Sequence, residues 1–151
     1  MSIIRKAVPA DLNRIAEIEV FNYRLNFYPI FRDDQFYFEE FQVTNRSDFY
    51  RGNLDHLWVY DDGVVKGFVQ TDGAKIQKLF VEPVLQGHGI GASLLAFAVA
   101  LGADHLWALE KNTRAIAFYE RHGFHKTNTK IPEEDTTEYL IRMERYHAGK
   151  E

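Results

Sequence analysis

Residues 78–93 read KLFVEPVLQGHGIGAS, and the fold turns on this stretch. Lys78 to Val81 is an apolar-rich run that ends a strand, and Pro83 stops it because proline has no N–H to give to a ladder. A brief loop leads to Gly87, Gly89 and Gly91, which alternate with His88 and Ile90. From there the period changes: Ile90, Leu94, Phe97, Ala98 and Leu101 recur at the spacing of one helix face. Strand, glycine-rich turn and helix, in that order, present free backbone N–H groups to an anion. Glycines let the backbone come close, and the helix N-terminus adds partial positive charge. On its own the stretch predicts a site for a phosphorylated ligand.

Outward from the turn, Lys75 to Val81 reads as one strand, with Thr71-Asp72-Gly73 as the tight connection before it. Val64 to Thr71 and Leu54 to Tyr60 are the preceding strands, joined at Asp61-Asp62-Gly63, a strong hairpin signal. The three form an antiparallel meander that feeds the turn. On the other side, a helix over Gly89 to Leu101 closes at Gly102 as its C-cap, and His105 to Leu109 is the next strand. Strand, helix, strand implies a parallel pair with a right-handed crossover. Asn112 opens a further helix (NTRAIAFYERHG) with Ala115, Ile116 and Tyr119 on one face, closed by Gly123. Phe124 to Thr127 and Glu138 to Met143 are a last pair of strands around a polar loop of Pro132, Glu133, Glu134 and Asp135. Ile3 to Ala7 is a short first strand. Asp11 then stands at the start of a helix with Leu12, Ile15, Ala16, Val20, Tyr23 and Phe27 on its apolar face, ended by Pro29. The expected class is α/β, an α+β mixed sheet with helices on both faces.

The segment from Phe21 to Tyr50 holds 11 of the 22 aromatic residues. A second helix that completes the core is the first reading of it, and a wall or lid over a pocket the second. A subunit interface is the third, which makes the aromatic excess compatible with a homodimer.

With 151 residues, 46 % apolar and 26 % charged, residues 1–151 read as one domain with room for a core. The net charge is −4 and no Lys/Arg-rich face appears, which speaks against nucleic acid as a partner. Cysteine is absent, so disulfides, thiol nucleophiles and cysteine-held metals are excluded. His122 and His125 flank a turn but lack a third ligand, and no metal site is expected. No apolar run reaches membrane-spanning length and the first residues lack a signal peptide's hydrophobic region, so the expectation is a cytoplasmic protein with no membrane partner.

Two anion-binding motifs fail on context. Gly87-x-Gly89-x-x-Ala92 meets a relaxed dinucleotide fingerprint, but it follows a meander rather than the first strand of a repeated βαβ unit. A P-loop needs Gly-Lys-Ser/Thr after its glycines, and none is present. Gln86-x-x-Gly89-x-Gly91, preceded by Leu79-x-Val81-x-Pro83 and followed by Asn112 and Phe118-Tyr119-Glu120-Arg121-His122-Gly123-Phe124, matches better. This ordered set resembles the GCN5-related N-acetyltransferase (GNAT) superfamily, most closely from Leu79 to Phe124.

The resemblance implies that the turn Gln86, Gly87, His88, Gly89, Ile90, Gly91, Ala92 and Ser93 wraps the pyrophosphate of acetyl-CoA. It implies that the strand end at Phe80 and Val81 pairs with the pantetheine arm and aims a backbone N–H at the thioester oxygen. Asn112 and Phe118 match positions that contact that arm, and Asn112 is also a natural helix N-cap. Tyr119 matches the tyrosine that relatives use as general acid toward the departing thiolate. Positions where relatives often carry a catalytic Glu hold Lys75 and Trp107 here, so the general base is not readable; Tyr23, Glu39 and Glu40 stay open. Arg114 and Arg121 read by default as solvated surface residues, with contact to the cofactor's 3′-phosphate as the alternative. Two functions follow: transfer of acetyl to a primary amine of a small molecule or peptide, or a CoA-binding module with little turnover.

Overall fold

The structure is a computed structural model describing residues 3–146. Seven strands make one sheet: β1 (Ile4–Lys6), β2 (Leu57–Asp61), β3 (Val65–Asp72), β4 (Lys75–Val81), β5 (His105–Leu109), β6 (Phe124–Pro132) and β7 (Tyr139–Arg145). Their order across the sheet is β1-β2-β3-β4-β5-β7-β6. β1 to β4 pair antiparallel in chain order, so the expected meander is present with β1 at its edge. β4 and β5 are parallel, linked by helix α4 (Ile90–Ala100). β7 lies between β5 and β6, antiparallel to both.

Successive strand residues face opposite sides, so the apolar meander coats both faces of the sheet. On one face Phe68, Leu57 and Val59 meet Leu12, Ile15 and Ile18 of helix α1 (Leu12–Asn26). A short helix α2 (Tyr28–Phe31) follows α1, and Tyr50 of helix α3 (Val43–Arg51) fills the same cluster. On the other face Val69, Ile76 and Val81 pack on Leu94, Leu95 and Ala98 of α4 and on Ile116 of helix α5 (Thr113–Arg121). Helices thus cover both faces, as the sequence predicts.

Several local expectations change. Leu54–His56 is a 3-10 turn, so the strand expected from Leu54 begins at Leu57. Pro29 does not end helical structure; it sits in the first turn of α2, where its missing N–H costs nothing. The second helix expected in the aromatic segment is three pieces: α2, a π-helical turn at Phe36–Glu40, and α3. Only Tyr37, Phe41 and Tyr50 of that segment's rings are fully buried, while Phe21, Phe38 and Phe49 are exposed. β6 runs on to Pro132, which therefore belongs to a strand and not to the loop. In α4 the buried face includes Leu95, whereas Leu101, already past the helix, is exposed. Gly102 stands one position beyond the cap, at φ 109. Among the described residues no helix is long and apolar enough to cross a membrane.

Candidate active site

β4 and β5 touch only where they begin. Their register runs Lys75–His105 and Ile76–Leu106 and then stops, although β4 continues to Val81 and β5 to Leu109. Past Ile76 the strands diverge, and the edge of β4 faces a gap instead of a neighbour. Antiparallel residues alternate between bonding their partner and turning away from it. The Glu82 N–H bonds the Lys66 carbonyl at 2.9 Å, and Val81 is opposite Gly67. The alternation therefore turns the N–H and C=O groups of Leu79 and Val81 away from β3, into the gap.

The gap is one end of a cleft of about 390 Å³. Leu79, Phe80 and Val81 form its wall, and the glycine-rich turn its rim, through Gln86, Gly87, Gly89, Ile90, Gly91 and Ala92. Gly87 and Gly89 have φ of 89° and 83°, backbone that favours glycine. Gly91 has ordinary φ, and a Cβ there would meet Phe118 at 3.4 Å and Val81 at 3.6 Å. Among the described residues the N–H groups from Gly87 through Ala92 have no acceptor in the protein, and the first helical bond closes from Ser93 to Gly89 at 3.1 Å. His88 and Ser93, both expected at the site, are exposed and stand outside the cleft lining; the Ser93 hydroxyl bonds back to the Gly89 carbonyl. Their share in the turn is backbone.

α5 supplies the opposite wall. Asn112 caps it, its Oδ1 accepting from the Ala115 N–H at 3.3 Å, and also lines the cleft, so both readings of Asn112 hold together. Phe118 and Tyr119 line the cleft from this helix, as do Arg114, Arg121 and His122. Among the described residues neither arginine has an ion-pair partner. The Tyr119 ring packs edge-on to Phe118 and Phe124, and among the described residues its hydroxyl has no hydrogen-bond partner. Burial pushes this phenol above its ordinary pKa, so it is a proton donor at neutral pH.

Lys75 and Trp107, which stand where relatives often carry a catalytic Glu, lie outside the cleft lining, Lys75 at the closed end of the gap. The base candidates also fall elsewhere. Glu39 and Glu40 are exposed, away from the cleft. Tyr23 belongs to a charged network that the sequence reading missed. Glu19, fully buried on α1, takes a bidentate pair from Arg46 at 2.6 and 3.2 Å, a bond from Lys78 at 2.7 Å and one from the Tyr50 hydroxyl. Lys78 also donates to the Tyr23 oxygen at 2.8 Å. Burial alone would raise the Glu19 pKa, but the Arg46 bond and the Lys78 charge outweigh it and hold the carboxyl below the ordinary range. Burial raises the Tyr23 phenol against the pull of Lys78, which leaves it a neutral hydroxyl and no base. Asn22 was missed too: it lines the cleft and bonds the end of β4. A signal was there, since Glu19, Asn22 and Asn26 fall on the helix face marked by Leu12, Ile15, Ala16 and Tyr23. Among the described residues no group of three or more metal-type ligands occurs.

A sheet parted between two parallel strands, with a turn of free N–H groups beside the gap, suits an extended ligand that carries phosphate. Residues 53–126 match the family model described as an acetyltransferase (GNAT) domain. That stretch carries the GNAT domain match that the motifs predict. The chain is 32 % identical over 94 residues to the peptidyl-lysine N-acetyltransferase YjaB of Salmonella typhimurium, across 54 % of this chain and 65 % of that enzyme, so the match spans just under two thirds of the relative. The solution structure of apo YjaB from Escherichia coli superposes with a TM-score of 0.72 at 22 % identity, covering 96 % of this chain and 97 % of that one. The structure of YncA, a putative acetyltransferase from Salmonella typhimurium with its cofactor acetyl-CoA, gives 0.63 at 21 % identity, covering 98 % and 96 %. These two superpositions carry the fold.

Proposed function

We propose that this protein is an acetyl-CoA-dependent N-acetyltransferase that moves an acetyl group directly to a primary amine of a small molecule or peptide. The observation that carries the reading is the continuity of three features in one cleft: the unpaired edge of β4, the unpaired N–H groups from Gly87 through Ala92, and the free Tyr119 hydroxyl. The donor set fits the cofactor. Successive N–H groups at a helix N-terminus suit a pyrophosphate. A bare strand edge suits the amides of an extended arm, by the same pairing that adds a peptide strand to a sheet. Arg114 and Arg121 suit a further phosphate. The single seven-stranded sheet supports one acetyltransferase domain, and the likeness to a peptidyl-lysine enzyme supports a lysine-type amine as the first acceptor to try.

Bound acetyl-CoA supplies an acetyl group already activated as a thioester. The chain's own groups do the rest. The Val81 N–H donates to the oxygen that gathers charge when the amine attacks; such a donor is worth about 10²–10³ in rate. The C–N bond forms as the C–S bond breaks, and the Tyr119 hydroxyl gives its proton to the leaving sulfur. With no cysteine in the chain, the transfer is direct. Among the described residues no Asp or Glu lines the cleft, so no carboxylate there takes the acceptor's proton, and an acceptor deprotonated by solvent before attack fits that lining. That same lack of a carboxylate favours the second reading, a CoA-binding module with little turnover. Release of CoA thiol, followed across a panel of lysine peptides, polyamines and amino acids, decides between them. Turnover with one acceptor class supports the enzyme; tight CoA binding with silence across the panel supports the module.

A further inference from the structure

The last carbonyl of β4 has no strand to pair with, yet it is not bare. Val81 turns both its N–H and its C=O toward the cleft, and the two have opposite effects on a thioester oxygen: the N–H attracts it, the carbonyl repels it. The carbonyl is occupied. It accepts from Asn22 Nδ2 at 2.9 Å, with Gln86 Nε2 at 3.4 Å. Asn22 is 1 % exposed, and its amide is fully used. Its Nδ2 also donates to the Ile18 carbonyl at 2.8 Å, one turn back on α1, which fixes the side chain's direction. Its Oδ1 accepts from Gln86 Nε2 at 3.1 Å and from Asn26 Nδ2 at 3.4 Å. One buried amide thus joins α1, the free end of β4 and the first residue of the glycine-rich turn.

We infer that Asn22 is a positioning residue for acyl transfer. By holding the Val81 carbonyl it leaves the Val81 N–H as the polar group offered to the thioester oxygen, and through Gln86 it keeps that donor in register with the phosphate-binding turn. The inference rests on the acetyltransferase reading of the cleft. A buried asparagine is often explained by satisfied hydrogen bonds alone. Here the partner is the carbonyl beside the proposed oxyanion donor, whose exposure would work against the chemistry, and a purely structural tie has no bearing on the electronic state of a bound thioester.

Carbon-13 NMR of acetyl-CoA labelled at the thioester carbonyl reads that state without any acceptor. With the wild-type protein the bound resonance is displaced to lower field than free acetyl-CoA, the mark of a hydrogen-bonded carbonyl. Asn22→Asp keeps the shape and the Oδ1 acceptor but sets an oxygen against the Val81 oxygen. It is expected to bind acetyl-CoA within about threefold of wild type while the displacement collapses, and to lower kcat about 10²-fold, the scale of a 1 Å misplacement. If that variant fails to fold by circular dichroism, Asn22→Leu removes the donor without leaving a charge, and the same readouts apply. A folded variant that binds acetyl-CoA with the wild-type resonance overturns the inference and leaves the cofactor reading standing. A wild-type protein that does not bind acetyl-CoA brings down both.

Discussion

Tyr119 is the residue on which the chemistry concentrates. Its ring is held between Phe118 and Phe124, while its hydroxyl meets only the cleft. Tyr119→Phe keeps the ring packing and removes the donated proton. The expected result is a kcat lowered about 10²–10⁴-fold with acetyl-CoA affinity unchanged, read by steady-state kinetics beside calorimetric titration. Burial raises this phenol, so the wild-type kcat should hold through the ordinary phenol range near pH ~10 instead of falling there. The turn glycines separate in a similar way. Gly89 has φ of 83° with open space around it, so Gly89→Ala meets no clash but costs about 1–2 kcal/mol of backbone strain. Gly91 has ordinary backbone, and its added Cβ would stand in normal contact with Phe118 and Val81, so Gly91→Ala should unfold at nearly the wild-type midpoint. Chemical unfolding of the two variants checks the contrast.

Elements are fixed by residues far apart in the chain, and the charged tie between α1, α3 and β4 is the clearest case. Glu19 is fully buried with Arg46 and Lys78 as its cationic partners. Removing one member of a buried pair leaves the others uncompensated, so Glu19→Gln should destabilise by about 3–5 kcal/mol in urea unfolding. The pH dependence has a definite sign. The folded-state pKa of Glu19 lies below its ordinary value, so its contribution is fully present above the unfolded pKa, near ~4.3, and is lost as pH falls through the folded value. Stability of the wild type should therefore fall on acidification below that range more steeply than that of Glu19→Gln. α4 is set down on β3 at Gly67, where a Cβ would lie 3.0 Å from the Leu94 side chain and 3.0 Å from the Phe80 carbonyl oxygen. The backbone oxygen cannot yield as a side chain does, so Gly67→Ala should cost about 1–3 kcal/mol, measured by the same unfolding.

The distance over which information travels in the chain explains what the sequence reveals. The strand ending at Val81, the glycines and α4 are neighbours in sequence, and their types and nearly all their bounds follow from local pattern. Asn112, Phe118 and Tyr119 come into the cleft because the crossover and α5 do, so they too were legible. The parting of β4 from β5 was not, since a parallel register that stops after Ile76 leaves no mark in either strand. Glu19 and Asn22 interrupt an apolar helix face, a visible oddity, but their partners Lys78 and Val81 lie 59 residues on and only the fold brings them together. The aromatic segment reads as a single further helix, whereas the left-handed turn at Arg32, φ 53, and the π-helical turn at Phe36–Glu40 divide it.

At the scale of the whole molecule one proposal underlies the rest: that the cleft between β4 and α5 takes a CoA thioester. Its most direct test is thermal unfolding with acetyl-CoA, CoA and NAD in parallel. At about 100 times the dissociation constant, a ligand that binds only the folded chain adds about 2.7 kcal/mol, a rise of roughly 5–10 °C in midpoint for a domain of this size. That rise is expected with both CoA species and not with NAD. No shift with either CoA species, well above micromolar concentration, would contradict it.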